Sequence, residues 1–561
     1  MNATTRRTLL DLGIGIDAAI VAAGIAAFAE GEPLFQTACL LAAVTIAACA
    51  RGAASGVVAA MAGVIVMCFY DADDRHLLVF AIASAALCAT IALIRGHRGV
   101  RAQEIDDAPL LPTTRAIAFL SMLALPLLAL VIYTNFSDIA MRNLPVPSLL
   151  QPLIFLLAAA VWHYRRELRA GAIVRQPLAL ALAAYTFIQF CSSIWAVDVR
   201  LADDRFVDAL KSLAIFLITA SLATSWNALL RVITALTIAA GALSLLSSVQ
   251  TLANLSNEFL GFSRIQIAHI YGGVYEVRPA GPVGDPNFYA QFLLMIVPLA
   301  LFGAWAETRT RPRILLFAGA AIIATGTLLT YSRGAMLAIG CMTIVAMLLF
   351  KPRGKHLAAV AAVGLVGLLL LPAEVTRRLL TIEALMPGTS MEVDSSIVKR
   401  KLLFHTALQM FDDHLVGGVG AGNFTRYFTR YSNEVGSAAP QYDPPGVRQY
   451  PHTLYLEIGA ETGLLGLLTF GAAIASAYAA LLRGRRTLLA RGDVACAGIV
   501  AALLLALTGY LITSIFLHGA FQRYLFLLLA LIAAATRLAE PPIHNAVEQA
   551  PLPFQPAEAR S

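Results

Sequence analysis

The chain carries little charge for its length. Lys, Arg, Asp and Glu together make up 13% of its 561 residues, whereas soluble domains usually carry about 25%. This low charge excludes a soluble globular enzyme, a disordered protein and a nucleic-acid-binding module. The net charge of +7 does not change that conclusion, because the arginines cluster at the ends of apolar runs, as they do in membrane proteins.

The sequence also lacks the usual patterns of disulfide, metal and nucleotide sites. Its seven cysteines all lie inside apolar runs, so we expect neither a disulfide framework nor a metal-binding spacing. It contains no HExxH motif, no CxxC motif and no P-loop, so we predict no metal, no cofactor and no ATP-driven pump. Arg6 and Arg7 precede an apolar run that further runs follow, which predicts a retained span rather than a cleaved signal peptide.

Long apolar runs are what the chain has in abundance. Hydrophobic residues make up 59% of the sequence, mean hydropathy is +0.74, and a helical span needs about 20 such residues. We therefore predict an all-α, polytopic helical membrane protein with about 16 transmembrane helices. The predicted runs lie near 11–29, 34–50, 54–70, 76–94, 116–133, 148–163, 177–195, 207–223, 228–250, 286–305, 313–331, 334–350, 356–372, 453–482, 494–517 and 521–537.

The distribution of arginines predicts the topology and the domains. With a cytoplasmic N-terminus, the Arg- and Lys-rich connections fall inside and the acid-rich turns fall outside. We predict an N-terminal module of four membrane helices over 1–95, a cytoplasmic linker over 96–115, a twelve-helix domain over 116–537, and a disordered cytoplasmic tail over 538–561.

Two connections on the outer side are long, and long loops in compact domains are usually functional. One runs from about 251 to 286, and the other is a large periplasmic loop over 373–451. Within the second loop, 396–412 is predicted to form an amphipathic helix that rests on the membrane or caps a cavity. Its predicted apolar stripe consists of Ile397, Leu403, Ala407, Leu408 and Phe411.

Polar residues of the outer loops form the candidate site. Arg278 and Asp285 lie in a Gly- and Pro-rich stretch that leads into a span, and the fork of an Arg suits phosphate, although a surface Arg in a turn remains an equal alternative. Arg333 lies in a short turn between two spans, where it is either an interfacial anchor or a residue of an anion-binding cavity.

The strongest candidate is His452, which lies where the large loop re-enters the membrane. A histidine beside a water-exposed cavity and several arginines is suited to act as a general base. Glu457 and Glu461 follow four residues apart on one helix face. Acids inside a span usually line a cavity, so both are predicted to contact substrate, with a packing role as the alternative for Glu461.

These residues resemble a known family. His452-Thr453, nine residues, Gly463, two residues and Gly466 are similar to the motif of the bacterial O-antigen ligases, with Thr453 in place of the usual Asn, Ser or Gln. The segment Ser395 to Phe424 is similar to the stretch that precedes this histidine in the family, and it matches Arg400 to a family arginine. The resemblance spans about 116–537 and is shared by ligases and Wzy-type polymerases.

The resemblance implies a C-type glycosyltransferase fold in the bacterial inner membrane, with the active site facing the periplasm. It implies metal-independent, inverting transfer of a glycan from undecaprenyl pyrophosphate to an acceptor hydroxyl, such as that of lipid A-core. His452 would be the base, and Arg278, Arg400 and, more weakly, Arg333 would bind the pyrophosphate. A Wzy-type O-antigen or exopolysaccharide polymerase, a protein O-oligosaccharyltransferase and, from another class, a polytopic transporter remain alternatives.

Overall fold

The computed structural model describes residues 112–143, 150–253, 255, 257–270, 274–351, 395–434 and 449–540. Eight helices in this part of the chain are long and apolar enough to cross a membrane. The protein is therefore an all-α polytopic membrane protein, as the composition predicts. The four N-terminal runs, the run at 356–372, parts of the 373–451 loop and the tail from 541 lie outside the described residues.

Eleven of the predicted apolar runs coincide with described helices. We number the sixteen described α-helices α1 to α16 in chain order. A π-helical turn at Leu120–Ala124 joins α1 to α2. The helices are α1 (Pro112–Phe119), α2 (Leu125–Tyr133), α3 (Phe136–Asn143), α4 (Leu150–His163), α5 (Ala170–Val174), α6 (Pro177–Ser192), α7 (Val199–Leu222), α8 (Trp226–Leu252), α9 (Pro286–Ala306), α10 (Thr310–Leu329), α11 (Arg333–Phe350), α12 (Ser395–Asp413), α13 (Phe424–Glu434), α14 (Leu454–Ala490), α15 (Val494–Thr513) and α16 (Gln522–Ala539).

The eight candidate spans differ in how deeply they are buried. Helices α9, α15 and α16 are buried over most of their length, whereas only 17% of α11 is buried and the rest is partly or fully exposed. In a membrane protein such an apolar exposed face is suited to lipid. The helices α4 and α6 are apolar but shorter than 18 residues, and α7 is not among the eight candidates.

Polar residues described below lie at the two opposite ends of the helices. At one end, Arg485 donates to the carbonyl of Leu349 over 2.9 Å, and Arg537 donates to the carbonyl of Ala223 over 3.0 Å. These arginines hydrogen-bond carbonyl groups near the C-terminal ends of α11 and α7, which lack partners within their own helices. The opposite end holds the starts of α9, α11, α14 and α16, and it is where the candidate site lies.

The first long connection contains strands that the sequence analysis did not predict. Residues Arg264–Ile270 (β1) pair with Val274–Gly281 (β2) in a two-stranded sheet. At the end of β2, Gly281 has φ +55°, and a Cβ at this position would lie 2.5 Å from the ring of Tyr289. The hairpin therefore delivers Arg278 close to the start of α9 in a fixed backbone conformation.

The amphipathic helix predicted at 396–412 is present as α12, but its buried stripe differs from the predicted one. The core it joins contains Leu402, Leu403, Ala407 and Met410, together with residues of α13 and Ala460 of α14. Leu403 and Ala407 of the predicted stripe are buried, and Phe411 is half-buried beside Gly459 of α14. Leu408 is 38% exposed, so the predicted stripe is wrong at this position. The helix packs against α13 and α14, which is why its burial is centred on the face that contains Leu403 and Met410.

The chain forms two compact units, which we describe separately. The larger comprises Ala116–Thr134, Leu150–Ser248 and Gln266–Ser561, and every residue of the candidate site belongs to it. The smaller comprises Met1–Arg115, Asn135–Leu149 and Val249–Ile265. Within the smaller unit, the side chain of Gln250 donates to the carbonyls of Asn257 (2.7 Å) and Ser263 (2.8 Å).

Candidate functional site

His452 lies in a strained backbone conformation immediately before α14. Its φ is +51°, in the left-handed region that few residues other than glycine adopt, and such residues are concentrated at active sites. The next two residues fix the chain. Thr453 is the N-cap of α14, and the amide of Leu454 donates to the carbonyl of Ser514 over 3.0 Å. This hydrogen bond to the start of the α15–α16 connection holds the chain beside the strained residue His452.

The imidazole of His452 belongs to a group of rings that we call the histidine cluster: Phe288, Tyr450, His452 and His518. The ring of His518 stands edge-on to His452, with centroids 5.8 Å apart. On another side it stacks on Tyr450, at 4.4 Å and an interplanar angle of 2°. Phe288, in the first turn of α9, meets His518 edge-on at 5.0 Å. The cluster joins the end of the large loop, the start of α9 and the α15–α16 connection.

Electrostatics keep His452 in its neutral form. Burial, followed by the charges of His518 and Arg400, lowers its pKa to about 4, and the carboxylate of Asp285 only partly opposes this. At neutral pH the imidazole therefore has a lone pair available to accept a proton, as a general base requires. Arg400 itself is exposed, on α12, and its positive charge is one of the causes that lower the pKa of His452.

Arg278 is buried, with 7% of its surface exposed. Its Nε donates to the carbonyl of Thr330 over 2.9 Å, and its Nη2 donates to Oδ1 of Asn287 over 3.3 Å. Burying a guanidinium is costly unless it is hydrogen-bonded. These bonds tie β2 to the α10–α11 turn and to the residue before Phe288, so Arg278 and the histidine cluster share the first turn of α9.

The other predicted residues around this turn have different surroundings. Oδ1 of Asp285 accepts from the amides of Asn287 (2.7 Å) and Phe288 (3.1 Å), so Asp285 is the N-cap of α9. Its carboxylate satisfies helix amides that would otherwise lack partners. Arg333 is half-buried at the first position of α11, directly after the α10–α11 turn to which Arg278 is hydrogen-bonded.

Glu457 and Glu461 are both buried, at 3% and 6% exposure, but their oxygens are engaged by the protein. Oε1 of Glu457 forms an ion pair with Nη2 of Arg205 at 3.1 Å, and Oε2 accepts from the amide of Gly519. Arg205, from α7, also lies near the carbonyl of Gly519, at 3.4 Å. This arrangement ties α7 and α14 to the α15–α16 connection beside His518.

Glu461 binds the glycine-rich segment 417–424. Its Oε2 accepts from the amide of Gly422 over 2.8 Å, and its Oε1 lies 3.4 Å from the amide of Phe424. The same segment is held from the α6–α7 turn, because the side chain of Asn423 exchanges hydrogen bonds with the backbone of Asp198 (2.8 and 3.1 Å). A hydrogen bond from Arg426 lowers the pKa of Asp198. We call Arg205, Glu457 and Glu461 the carboxylate cluster.

The GxxG part of the motif has a backbone explanation. Helix α14 is interrupted at Gly463, whose φ of +64° and ψ of −159° are not helical. This break frees the carbonyls of Ala460 and Glu461, which accept from the amides of Val419 (2.8 Å) and Gly420 (2.9 Å). A Cβ at Gly463 would lie 2.3 Å from the carbonyl oxygen of Val416. Glycine is therefore needed where the helix and the 417–424 segment exchange hydrogen bonds.

A small polar cavity adjoins the carboxylate cluster. Its volume of about 20 Å³ leaves room for about one water molecule and none for a sugar. Arg205, Glu457 and Glu461 line it, together with Gln189 and Gln522. Among the described residues, Nε2 of Gln189 and Oε1 of Gln522 have no hydrogen-bond partner, which suits an internal water that bridges polar side chains.

The structure thus brings His452, Arg278, Asp285 and the Arg400 charge to one side, and Glu457 and Glu461 lie next to this group with their oxygens hydrogen-bonded by the protein. Arg205 and His518 are not among the site residues predicted from the sequence. Arg205 follows two aspartates in what reads as a solvated turn, and His518 lies in a short connection between two apolar runs. Within the described part of the chain, no three His, Cys, Asp or Glu residues are grouped to hold a metal.

Residues 318–471 match the model of a family described as O-antigen ligase. The matched range contains Arg333, Arg400, His452, Glu457 and Glu461, and it ends within α14 after the glycines of the GxxG motif. Arg278, Asp285, Arg205 and His518 lie outside it. No curated protein sequence matches the chain.

Proposed function

This chain is a member of the O-antigen ligase superfamily, and we propose that it transfers a glycan from undecaprenyl pyrophosphate to a hydroxyl of lipid A-core or a similar glycolipid. One observation carries the proposal. His452, inside the matched domain, lies in a strained conformation at the junction of three elements, and it is neutral at physiological pH. The reaction takes place on the outer face of the bacterial inner membrane.

In this mechanism His452 removes the proton of the acceptor hydroxyl as its oxygen attacks the anomeric carbon. The bond from that carbon to the phosphate oxygen breaks, and the pyrophosphate leaves with the electron pair. Attack opposite the leaving group inverts the anomeric centre. Pyrophosphate leaves readily, so positioning and charge stabilisation carry most of the catalysis.

Arginines stabilise the leaving group. Arg278 presents a guanidinium held by the backbone of Thr330 and by Asn287, and a pre-oriented fork loses little freedom when it binds phosphate. Arg400 supplies a second charge from α12, and Arg333 a third from the start of α11. No metal is needed, because these cations neutralise the developing charge.

The test is transfer by the purified protein in lipid vesicles. With undecaprenyl-pyrophosphate-linked glycan, lipid A-core and EDTA present, we expect a glycosylated lipid A-core and free undecaprenyl pyrophosphate. Elongation of the lipid-linked glycan, without transfer to lipid A-core, would instead identify a polymerase. Loss of transfer with EDTA and its rescue by Mg²⁺ or Mn²⁺ would contradict the metal-independent mechanism.

The orientation has its own test. Alkaline phosphatase fused within 373–451 is expected to be active, because the proposal puts this loop in the periplasm, and a fusion after Arg486 is expected to be inactive. The reverse pattern would place the histidine cluster in the cytoplasm and would rule out a periplasmic transferase.

A further inference from the structure

We propose that His518 is a second histidine of the transfer site, which hydrogen-bonds through Nδ1 the acceptor hydroxyl that His452 deprotonates. This inference rests on the proposed function. Nothing in the family match points to His518, since it lies beyond the matched residues 318–471.

The ring of His518 is held in place from three sides. Tyr450 covers one face at 4.4 Å, Phe288 packs edge-on at 5.0 Å, and His452 stands edge-on at 5.8 Å. Edge-to-face and stacked aromatic contacts at such distances are favourable and directional. A side chain packed in this way loses little freedom when it binds a ligand, which is what a pre-organised site requires.

The backbone beside His518 is fixed as firmly as its ring. The amide of Gly519 donates to Glu457, and the carbonyl of Gly519 lies 3.4 Å from Nη1 of Arg205. These contacts come from α14 and α7 respectively. The carboxylate cluster thus helps to hold the backbone beside His518, and Arg205 also lies over the ring of Tyr450 at 5.8 Å.

Nδ1 of His518 is buried and, among the described residues, has no hydrogen-bond partner. A buried polar atom without a partner costs free energy, and such atoms in folded proteins are few. The unsatisfied nitrogen lies in the ring that contacts the candidate base. A substrate hydroxyl that reaches Nδ1 beside His452 would satisfy it, and the transfer reaction supplies that hydroxyl.

The charges that face His518 keep its ring neutral. Burial and then Arg205 lower its pKa to about 4, against a smaller opposing effect of Asp285. Within the described part of the chain, the titratable rings in contact with it are those of Tyr450 and His452. A neutral imidazole has one donor and one acceptor nitrogen. His518 can therefore orient the hydroxyl while His452 takes its proton.

Three substitutions separate hydrogen bonding from packing. His518→Phe keeps a ring that stacks on Tyr450 but removes both nitrogens. His518→Asn puts an amide near the position of Nδ1, and His518→Gln puts one near Nε2. We expect the Phe variant to lose about tenfold or more in kcat, as for one lost hydrogen bond in the transition state, with the KM for donor unchanged. The Asn variant should recover part of that loss, and the Gln variant less.

All variants are compared at equal amounts of monodisperse, folded protein in vesicles, with His452→Ala alongside. Wild-type activity in the Phe variant would overturn the inference, since a ring would then suffice, and so would equal losses in Asn and Phe. If the wild type transfers glycan and His452→Ala does not, the proposed function stands in either case. If the wild type transfers nothing, the proposed function itself fails.

Discussion

The histidine cluster and the carboxylate cluster lie around the first turns of the same helix, yet they are built in opposite ways. In the carboxylate cluster, both glutamates bond to protein groups: Glu457 to Arg205 and Gly519, and Glu461 to the 417–424 segment. In the histidine cluster, the rings of His452 and His518 are packed by neighbours, and Nδ1 of His518 has no partner among the described residues.

From this difference we infer that the carboxylate cluster supports the site and that the histidine cluster carries out the reaction. Hydrogen-bonded buried carboxylates rigidify the segments that they join, whereas strained residues are concentrated at functional sites. The cost of an acid inside a span predicts that Glu457 and Glu461 contact substrate. In the structure their oxygens bond to the segments that surround His452 and His518, and their contact with substrate stays a prediction.

The largest expected effect is on the histidine cluster. His452→Ala should lower the rate of glycan transfer by about 10²–10⁴-fold while the protein still inserts into the membrane, because a positioned base is lost. The matched control is His405→Ala, which removes an exposed histidine on α12 and should leave transfer unchanged. Near-normal turnover by the His452 variant would remove this residue from the mechanism.

The carboxylate cluster should respond in stability. Arg205→Met leaves Glu457 buried without its cation, a loss that typically costs about 3–5 kcal/mol, and thermal unfolding in detergent measures it. Adding Glu457→Gln should restore part of the unfolding temperature, since the unpaired charge is then removed. Lys211→Met on the same helix breaks only the exposed pair with Asp208, and it should cost less than about 1 kcal/mol. Equal unfolding temperatures for the Arg205 and Lys211 variants would contradict this interpretation.

The kink in α14 gives a comparison within one helix. Gly463→Ala should destabilise the protein by about 1–3 kcal/mol or more, because alanine is strained at this φ and ψ and its Cβ would meet the carbonyl of Val416. Gly471→Ala has nothing within 4 Å of the added Cβ, and alanine is the better helix former by about 1 kcal/mol. The two substitutions should therefore shift the unfolding temperature in opposite directions. A downward shift of similar size in both would contradict the role of Gly463.

The smallest expected effect concerns pH. The pKa of His452 is lowered to about 4, so its neutral, proton-accepting form persists well below neutral pH and is lost only as pH falls through that value. We expect kcat/KM to stay level between about pH 7.5 and 5.5, whereas an ordinary histidine, with a pKa of about 6.5, would lose most of its activity there. A decline centred near pH 6.5 would show that burial and the Arg400 charge do not act on His452 as described.

Much of this site follows from the sequence. The apolar runs predicted eleven described helices to within a few residues at most ends, and the loop re-entry point correctly located His452 directly before α14. The hairpin at 264–281 was missed because a short, isolated pair of strands in a polar loop has little periodicity to reveal it. The stripe of α12 was misplaced at Leu408 because α13 and α14 determine which face is buried.

His518 and Arg205 could not have been found in this way. His518 lies 66 residues after His452 along the chain, and only the packing of α14 against the α15–α16 connection brings their rings together. Arg205 is distant in sequence from Glu457, and their ion pair depends on how α7 approaches α14. Local sequence carries no information about either of these contacts.

The sequence by itself determined the membrane class, most helix positions, the glycines of the α14 kink and the candidate base, because apolar periodicity and backbone requirements are local properties of the chain. The tertiary structure alone decided which polar residues are satisfied by the protein and which remain available. A hydrogen-bond partner is a matter of distance and angle between distant segments, so the division between the carboxylate cluster and the histidine cluster exists only once the helices have packed.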